Sequence, residues 1–139
     1  MAKTPPQAPG DRAPRGRIVY AHPPYRENRC RACHNPDDGL LYRELGDGLC
    51  QTCHPDVPGP TAYLHGPVAV NDCLSCHHYH DSIYPGLLLD EAKALCFRCH
   101  KRTDLTKGAH HDEIEARSCI ECHYAHGGSD RFLLRRSTP

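Results

Sequence analysis

Five short segments of this 139-residue chain share one layout, in which two cysteines separated by two residues are followed directly by a histidine. We number them motifs 1 to 5 in chain order: CRACH (30–34), CQTCH (50–54), CLSCH (73–77), CFRCH (96–100) and CIECH (119–123). In a helical turn, positions i, i+3 and i+4 lie on one face. Two thiols on that face can add to the two vinyl groups of one porphyrin while the imidazole reaches its iron. C-x-x-C-H is accordingly the attachment signature of c-type haem.

All ten cysteines of the chain lie in these motifs, and a disulfide framework or zinc sites would also use many cysteines. Neither alternative requires a histidine after every second cysteine. The pattern therefore predicts five covalently bound haem c groups, each with its iron. The predicted attachment residues are Cys30, Cys33, Cys50, Cys53, Cys73, Cys76, Cys96, Cys99, Cys119 and Cys122.

The composition argues against a core built from side chains alone. Only 38% of the residues are hydrophobic, Trp is absent, and the chain holds 13 Pro and 11 Gly. Lys plus Arg and Asp plus Glu balance at 17 each, so no excess of basic residues points to nucleic acid or to an anionic membrane. Such a chain buries too little apolar surface of its own, and the porphyrins must supply the rest.

We therefore predict a mostly irregular fold with short α-helices wrapped around a stack of five covalent c-type haems, and little or no β-strand. The best helix candidate is about residues 90–101, DEAKALCFRCHK. Asp90 is its predicted N-cap, and Lys101 is expected to close it at the C-terminal end. No run of 18 apolar residues exists, so we expect no membrane span in this sequence.

The motifs recur with a nearly fixed period. Their first cysteines stand at 30, 50, 73, 96 and 119, which gives steps of 20, 23, 23 and 23 residues. Leucines also match at an offset of 46, as at Leu49 and Leu95. A fixed period indicates an internal repeat. We predict a pentahaem cytochrome c domain at 22–139, made of a single-haem half-unit (22–48) and two two-haem repeats (49–92 and 95–135), after a Pro/Arg-rich arm at 1–21.

The histidines fall into classes defined by their distance from a motif. The five motif histidines, predicted as proximal iron ligands, are His34, His54, His77, His100 and His123. Three upstream histidines stand eight residues before a first cysteine: His22, His65 and His111. Two downstream histidines, His80 and His126, stand three residues after a motif histidine. The last two classes together number five, so each iron can receive a second imidazole, while His78 and His110 are interpreted as ordinary side chains.

Two axial imidazoles fill a haem iron and leave no open position for a substrate, which predicts electron transfer rather than catalysis at the metal. His80 cannot bind the same iron as His77, because three residues span at most about 10–11 Å and the motif fixes the chain on one porphyrin face.

A ligand scheme follows from which motifs lack an extra histidine. Motifs 2 and 4 have Tyr42 and Leu88 at the upstream position, and motif 1 has Asp37 at the downstream position. The simplest scheme lets each downstream histidine reach back by one motif. It predicts His80 on haem 2 and His126 on haem 4, with His22, His65 and His111 on haems 1, 3 and 5, where each haem takes the number of its motif.

The segment HGPVAVNDCLSCHHYHDSIYPGLLL (65–89) combines H-x-P, C-x-x-C-H-x-x-H and a following leucine pair. In this it resembles the doubled-CxxCH multihaem cytochromes c, and the resemblance covers about residues 22–135. That group includes pentahaem electron donors to periplasmic reductases and subunits of extracellular cytochrome filaments. The chain departs from the pattern at Asp37 and at HDEI (111–114), where the group favours H-x-P.

The resemblance implies a non-enzymatic electron carrier with bis-histidine haems, located in the periplasm or outside the cell. Because c-type haem is attached beyond the cytoplasmic membrane, a signal peptide is expected, and residues 1–17 contain no apolar segment of that kind. A filament protomer, a soluble periplasmic shuttle and a respiratory-complex subunit remain alternatives within this class. A haem-based oxyanion reductase is the alternative from another class, and it would need one haem with an open axial position.

The arm at 1–21 motivates a prediction about partners. It contains four prolines and three arginines and little apolar surface, which is typical of a segment that is extended unless it lies on another surface. We predict redox partner proteins, and copies of the chain itself in a head-to-tail filament to which the arm contributes. A variation has His22 ligate a haem of the next copy.

Overall fold

The computed structural model describes residues 20–37, 48–107, 110–111 and 114–135. Within them are five short α-helices: α1 (Pro23–Arg26), α2 (Gly66–Ala69), α3 (Ala92–Phe97), α4 (Arg102–Leu105) and α5 (Cys119–Cys122). Single 3-10 turns occur at Cys30–Ala32, Cys50–Thr52, Cys73–Ser75 and Pro85–Leu87. The remaining described chain is turns and irregular segments, so the prediction of short helices in a mostly irregular fold is confirmed.

Four two-residue strands form two separate antiparallel pairs. Strand β1 (Tyr20–Ala21) pairs with β3 (Asp81–Ser82), and β2 (Tyr63–Leu64) pairs with β4 (Gly127–Gly128). Strands β1 and β2 directly precede an upstream histidine, whereas β3 and β4 directly follow a downstream histidine. The strand content is thus small, as expected, but not zero. The sequence did not indicate that these few residues link distant parts of the chain. Tyr20 and Ala21, assigned to the arm, belong to one of these pairs, and residues 1–19 lie outside the described part.

The two segments that begin at β1 and β2 have the same local structure. His22 and His65 each precede a four-residue helix with proline at its first or second position, where the missing N–H costs nothing. Asn28 and Asn71 then adopt φ of 55° and 57°, a left-handed conformation that asparagine tolerates better than most residues. Each segment therefore turns sharply into the motif that follows, motif 1 or motif 3.

Very little of the described polypeptide is buried. The buried hydrophobic side chains among the described residues are Leu49 and Leu95, each 8% exposed and each directly before the first cysteine of motif 2 or motif 4. This agrees with the expectation that the side chains alone do not build a core. No helix in the described part is long and apolar enough to cross a membrane.

The helix predicted over 90–101 is shorter than expected. Helix α3 begins after Glu91, not after Asp90, whose carboxylate accepts a hydrogen bond from the Glu91 backbone N–H (2.8 Å) and lies 3.7 Å from the Arg98 guanidinium. The chain leaves the α-helix after Phe97, and Lys101 is the N-cap residue of α4 instead of the end of α3. After Phe97, the N–H groups of Arg98 and Cys99 donate to carbonyls three residues back (3.1 and 3.3 Å), so the regular i to i−4 pattern ends there.

Candidate haem-ligating histidine pairs

Each of the five motifs forms one tight helical turn. In every motif the backbone N–H of the histidine donates a hydrogen bond to the carbonyl oxygen of the first cysteine, at distances between 2.9 and 3.0 Å. This i to i−4 bond brings the imidazole and the first thiol to the same side of the turn. All ten cysteines lie in the described part, and they are free thiols that are exposed or half-buried. The local geometry is the one that covalent attachment to a porphyrin requires.

Each motif histidine faces a second imidazole at a nearly constant distance. The five pairs, with the distances between ring centroids, are His22–His54 (6.1 Å), His34–His80 (6.2 Å), His65–His100 (6.0 Å), His77–His126 (5.9 Å) and His111–His123 (6.1 Å). All ten histidines predicted as ligands occur in these pairs, and each occurs once. His78 and His110 are in none of them.

The spacing of these pairs suits an iron between two imidazoles. Two metal–nitrogen bonds of about 2 Å, plus about 1 Å from each nitrogen to its ring centre, separate the centroids by about 6 Å. Zinc sites of the structural type instead gather four Cys or His side chains around one point. Among the described residues, no group of three or more His, Cys, Asp or Glu side chains is placed to hold a metal ion. The recurring unit is a pair of imidazoles beside two thiols, which fits c-type haem.

The imidazole pairs differ from the ligand scheme predicted from spacing at four of the five motifs. His80 faces His34 of motif 1 rather than His54 of motif 2, and His22 faces His54. The second repeat has the same arrangement: His126 faces motif 3 and His65 faces motif 4. Only His111 faces the histidine of its own motif, as predicted.

The two strand pairs explain this arrangement. Next to β1 and β3, the backbone N–H of His22 donates to the carbonyl of His80 (2.8 Å). Next to β2 and β4, His65 donates in the same way to His126 (3.0 Å). Each strand pair therefore holds one upstream and one downstream histidine side by side, and directs them to two consecutive motifs. Within the chain, His22 lies against His54, and the variation in which His22 serves the next copy stays a prediction.

Hydrogen bonds fix the orientation of several of these rings. Nδ1 of His22 lies 3.1 Å from the Tyr79 carbonyl, and Nδ1 of His65 lies 2.9 Å from the Ala125 carbonyl. The motif histidines His77 and His123 donate in the same way to Gly86 and Phe132, both at 2.7 Å. An imidazole that donates from Nδ1 keeps the lone pair of Nε2 for a metal. Metal-binding histidines commonly donate their other ring N–H to a backbone carbonyl in this way.

The downstream histidines have matching electrostatic surroundings. Burial lowers the pKa of His80, and the neighbouring imidazoles of His78 and His34 lower it further. Burial also lowers the pKa of His126, with His77 and His65 adding to the effect. A lowered pKa favours the neutral imidazole, which is the form that coordinates a metal.

Thiols of consecutive motifs lie against one another. Burial and the adjacent Cys73 thiol, which is also hydrogen-bonded to it, raise the pKa of Cys50 to about 11. Burial and Cys119 raise the pKa of Cys96 to about 11 in the same manner. Weaker effects of the same kind reach Cys50 from Cys33 and Cys96 from Cys76. A thiol of motif 2 is therefore next to a thiol of motif 3, and a thiol of motif 4 is next to a thiol of motif 5.

Sequence reasoning missed the residues that support the pairs. The carbonyl acceptors Tyr79, Ala125, Gly86 and Phe132 carry no side-chain signal, since a backbone oxygen is present in every residue. Leu87 and Leu133 have φ of 59° and 55°, which is uncommon for leucine. Each directly follows one of the acceptors Gly86 and Phe132, and the repetition of these leucines at an offset of 46 residues was the available signal.

A comparison with protein families supports the same conclusion. The family described as "Doubled CXXCH motif" matches residues 22–59 and 65–105, which together make up more than half of the chain. The chain belongs to the doubled CXXCH motif family. The two matched segments begin at His22 and His65 and contain motifs 1 and 2, and motifs 3 and 4. No curated protein matched the chain. As a member of this family, the protein is a multihaem c-type cytochrome that carries covalently bound haem and functions in electron transfer.

Proposed function

We propose that this cytochrome carries electrons through five haems, each with two axial histidines. The observation that supports the proposal is the set of five imidazole pairs about 6 Å apart, each beside the two thiols of one motif. A bound haem would supply one-electron redox chemistry at its iron. The protein would supply two histidines that occupy both axial positions. The iron would then exchange electrons and would not bind a substrate.

The ligand assignment is one proximal and one distal histidine for each haem. Haem 1 takes His34 and His80, and haem 2 takes His54 and His22. Haem 3 takes His77 and His126, haem 4 takes His100 and His65, and haem 5 takes His123 and His111. The Nδ1 hydrogen bonds to backbone carbonyls support this assignment, since they leave Nε2 available at four of these ligands.

The contacts between thiols support a linear order of the haems. Because each haem would be bonded to the sulfurs of its own motif, sulfurs that lie side by side make consecutive haems neighbours. Cys50 with Cys73 and Cys96 with Cys119 are the hydrogen-bonded pairs of thiols among them. Electrons would then enter at one end of the series, at haem 1 or haem 5, and leave at the other.

A carrier fits the geometry better than the alternative of a haem-based oxyanion reductase. A reductase needs one iron with an open position, whereas each motif histidine of this chain faces a second imidazole. The proposal includes a location in the periplasm or outside the cell, since c-type cytochromes are generally exported. A soluble shuttle, a complex subunit and a filament protomer all remain compatible with this role.

Intact mass and optical spectra of the mature protein test the proposal. We expect five haem additions, no free thiol, and ferric and ferrous spectra of low-spin haem throughout. Four or fewer haems in fully matured protein, or a high-spin ferric signal in the unaltered protein, would contradict it. A high-spin signal would favour the reductase.

A further inference from the structure

The two repeats build haem 1 and haem 3 by the same rule but surround their distal ligands differently. His80 and His126 are equivalent positions, 46 residues apart. Each directly precedes a strand, β3 or β4, that pairs with the strand before an upstream histidine. The residue before His80 is Tyr79, while Ala125 precedes His126. In the upstream helices, Tyr25 of α1 corresponds to Val68 of α2, three residues after His22 and His65.

Both of these tyrosines pack on the His80 ring. Tyr25 stacks on one face of the imidazole, with ring centroids 4.5 Å apart and planes 18° apart. Tyr79 meets it nearly edge-on, with centroids 4.5 Å apart and planes at 75°. Contacts of this kind between aromatic rings contribute beyond the area they bury. Valine and alanine have no ring, so His126 lacks both contacts.

We infer that Tyr25 and Tyr79 are positioning residues that hold His80 on the iron of haem 1 and slow the loss of this distal ligand. An imidazole can leave an iron only if its ring swings away, and here the swing must break two ring contacts. The inference rests on the proposed function, because it takes His80 as a ligand of haem 1.

Haem 1 has more need of this device than haem 3. Motif 1 is at one end of the series, and its first thiol, Cys30, is exposed, whereas Cys73 of motif 3 is half-buried. Water and small ligands such as carbon monoxide can therefore approach haem 1 from the side of Cys30. A clamped distal ligand keeps this terminal haem an electron-transfer site and closed to such ligands.

The backbone carbonyl and the side-chain ring of Tyr79 contact two different histidines. Its carbonyl oxygen accepts the hydrogen bond from His22, the distal ligand assigned to haem 2, while its ring packs on His80. In the other repeat, Ala125 keeps the carbonyl contact with His65 and has no ring. Tyr79→Ala thus removes the ring contact at haem 1 and leaves the backbone contact at haem 2, and the chain itself uses alanine at the equivalent position.

Carbon monoxide binding to the dithionite-reduced holoprotein tests the inference. In the double variant Tyr25→Val/Tyr79→Ala, which copies the residues of the other repeat, we expect one fifth of the haem to bind carbon monoxide about tenfold faster than in the parent. The variant Tyr25→Phe/Tyr79→Phe keeps the rings and should behave as the parent. If it instead behaves as the Val/Ala variant, the hydroxyl groups and not the rings hold the ligand, and the inference fails.

Two further variants complete the experiment. Tyr84→Val is the control matched in residue type, since Tyr84 lies outside the motifs and the strand pairs and makes neither of the two tyrosine contacts with the His80 ring. An equal acceleration in this control would show a general effect of losing a tyrosine and would overturn the inference. His80→Ala distinguishes the two levels of the argument. If it produces no high-spin haem, the ligand assignment itself is wrong; if it does while the Val/Ala variant binds carbon monoxide as the parent does, only the clamp is wrong.

Discussion

The histidines His22 and His65 are oriented by backbone carbonyls that lie far away in the sequence. His22 is bonded through Nδ1 to a carbonyl 57 residues away, and His65 to one 60 residues away. Their repeated spacing from the motifs was enough to predict these residues as ligands, but not which motif histidine each one faces. Single substitutions can separate the two schemes, because each scheme assigns a given histidine to a different haem.

We expect His80→Ala to convert one of five haems to the high-spin state, and this haem should be the one attached at motif 1. The physical reason is that the His34 imidazole faces His80 across the space that suits an iron. Electron paramagnetic resonance of the ferric protein measures the high-spin fraction. His22→Ala is the matched variant, and it should affect haem 2 to the same extent.

Removing one haem identifies the affected site. In a background that lacks haem 1 (Cys30→Ala/Cys33→Ala), His80→Ala should add no further high-spin signal. In a background that lacks haem 2 (Cys50→Ala/Cys53→Ala), it should still add one. The reverse result would restore the scheme derived from spacing and contradict the pairing of the imidazoles.

At the scale of elements, the two strand pairs are small but hold four of the histidines proposed as distal ligands. Strands of two residues are too short to be stable by themselves, so they depend on the rest of the structure. Next to these strands, backbone hydrogen bonds hold His22 beside His80 and His65 beside His126. Gly127 in β4 lies close to the partner strand: a Cβ placed there would be 2.7 Å from the Tyr63 carbonyl oxygen and 2.8 Å from Oγ1 of Thr61.

Gly127→Ala should therefore force β2 and β4 apart and disturb both ligands that this pair holds. We expect a loss of stability of about 1–3 kcal/mol, typical of overpacking, and an increased high-spin fraction at haems 3 and 4. Thermal unfolding and the ferric spectrum measure these effects. Gly66→Ala is the matched control, because a Cβ at Gly66 meets nothing within 4 Å. Equal behaviour of the two variants would show that the strand contact does not position the ligands.

At the scale of the whole molecule, one rule accounts for most of the histidines. An upstream histidine faces the next even-numbered motif, and a downstream histidine faces the preceding odd-numbered motif. Motif 1 has no earlier odd motif in this sequence, and Asp37 stands where its downstream histidine would be. Motif 5 has no even motif after it, and His111 turns to His123 of motif 5 itself. The two departures from the repeat thus fall at the two ends of the haem series.

The assembly of the chain remains a prediction, since residues 1–19 lie outside the described part. If the arm packs on a neighbouring copy, deletion of residues 1–17 should convert a large particle into a monomer. Heterologous contacts that do not close build filaments, so the intact protein should increase in size with concentration. Light scattering before and after the deletion measures this. An unchanged monomer in both cases would exclude the filament and leave a soluble shuttle.

The sequence by itself determined the chemistry of this protein. Attachment of haem depends on residues within five positions of one another, and such local spacing is preserved in any fold that keeps the turn. The ten histidines that form the five pairs were also predictable, because their distances from the motifs recur and they number two for each motif. The composition of the sequence predicted that the side chains alone build very little core. In the described part, the buried hydrophobic side chains are Leu49 and Leu95.

Only the tertiary structure decided which imidazole faces which motif. The deciding contacts join Tyr20–Ala21 to Asp81–Ser82 and Tyr63–Leu64 to Gly127–Gly128, in strands of two residues with no hydrophobic alternation to mark them. Spacing along the chain favours the nearest motif, whereas these pairs bring together segments about 60 residues apart. The same folding places Tyr25 against His80, a contact that neither residue's position indicates. Ligand type is a local property of the sequence, but ligand partnership depends on long-range backbone pairing, which short-range spacing does not encode.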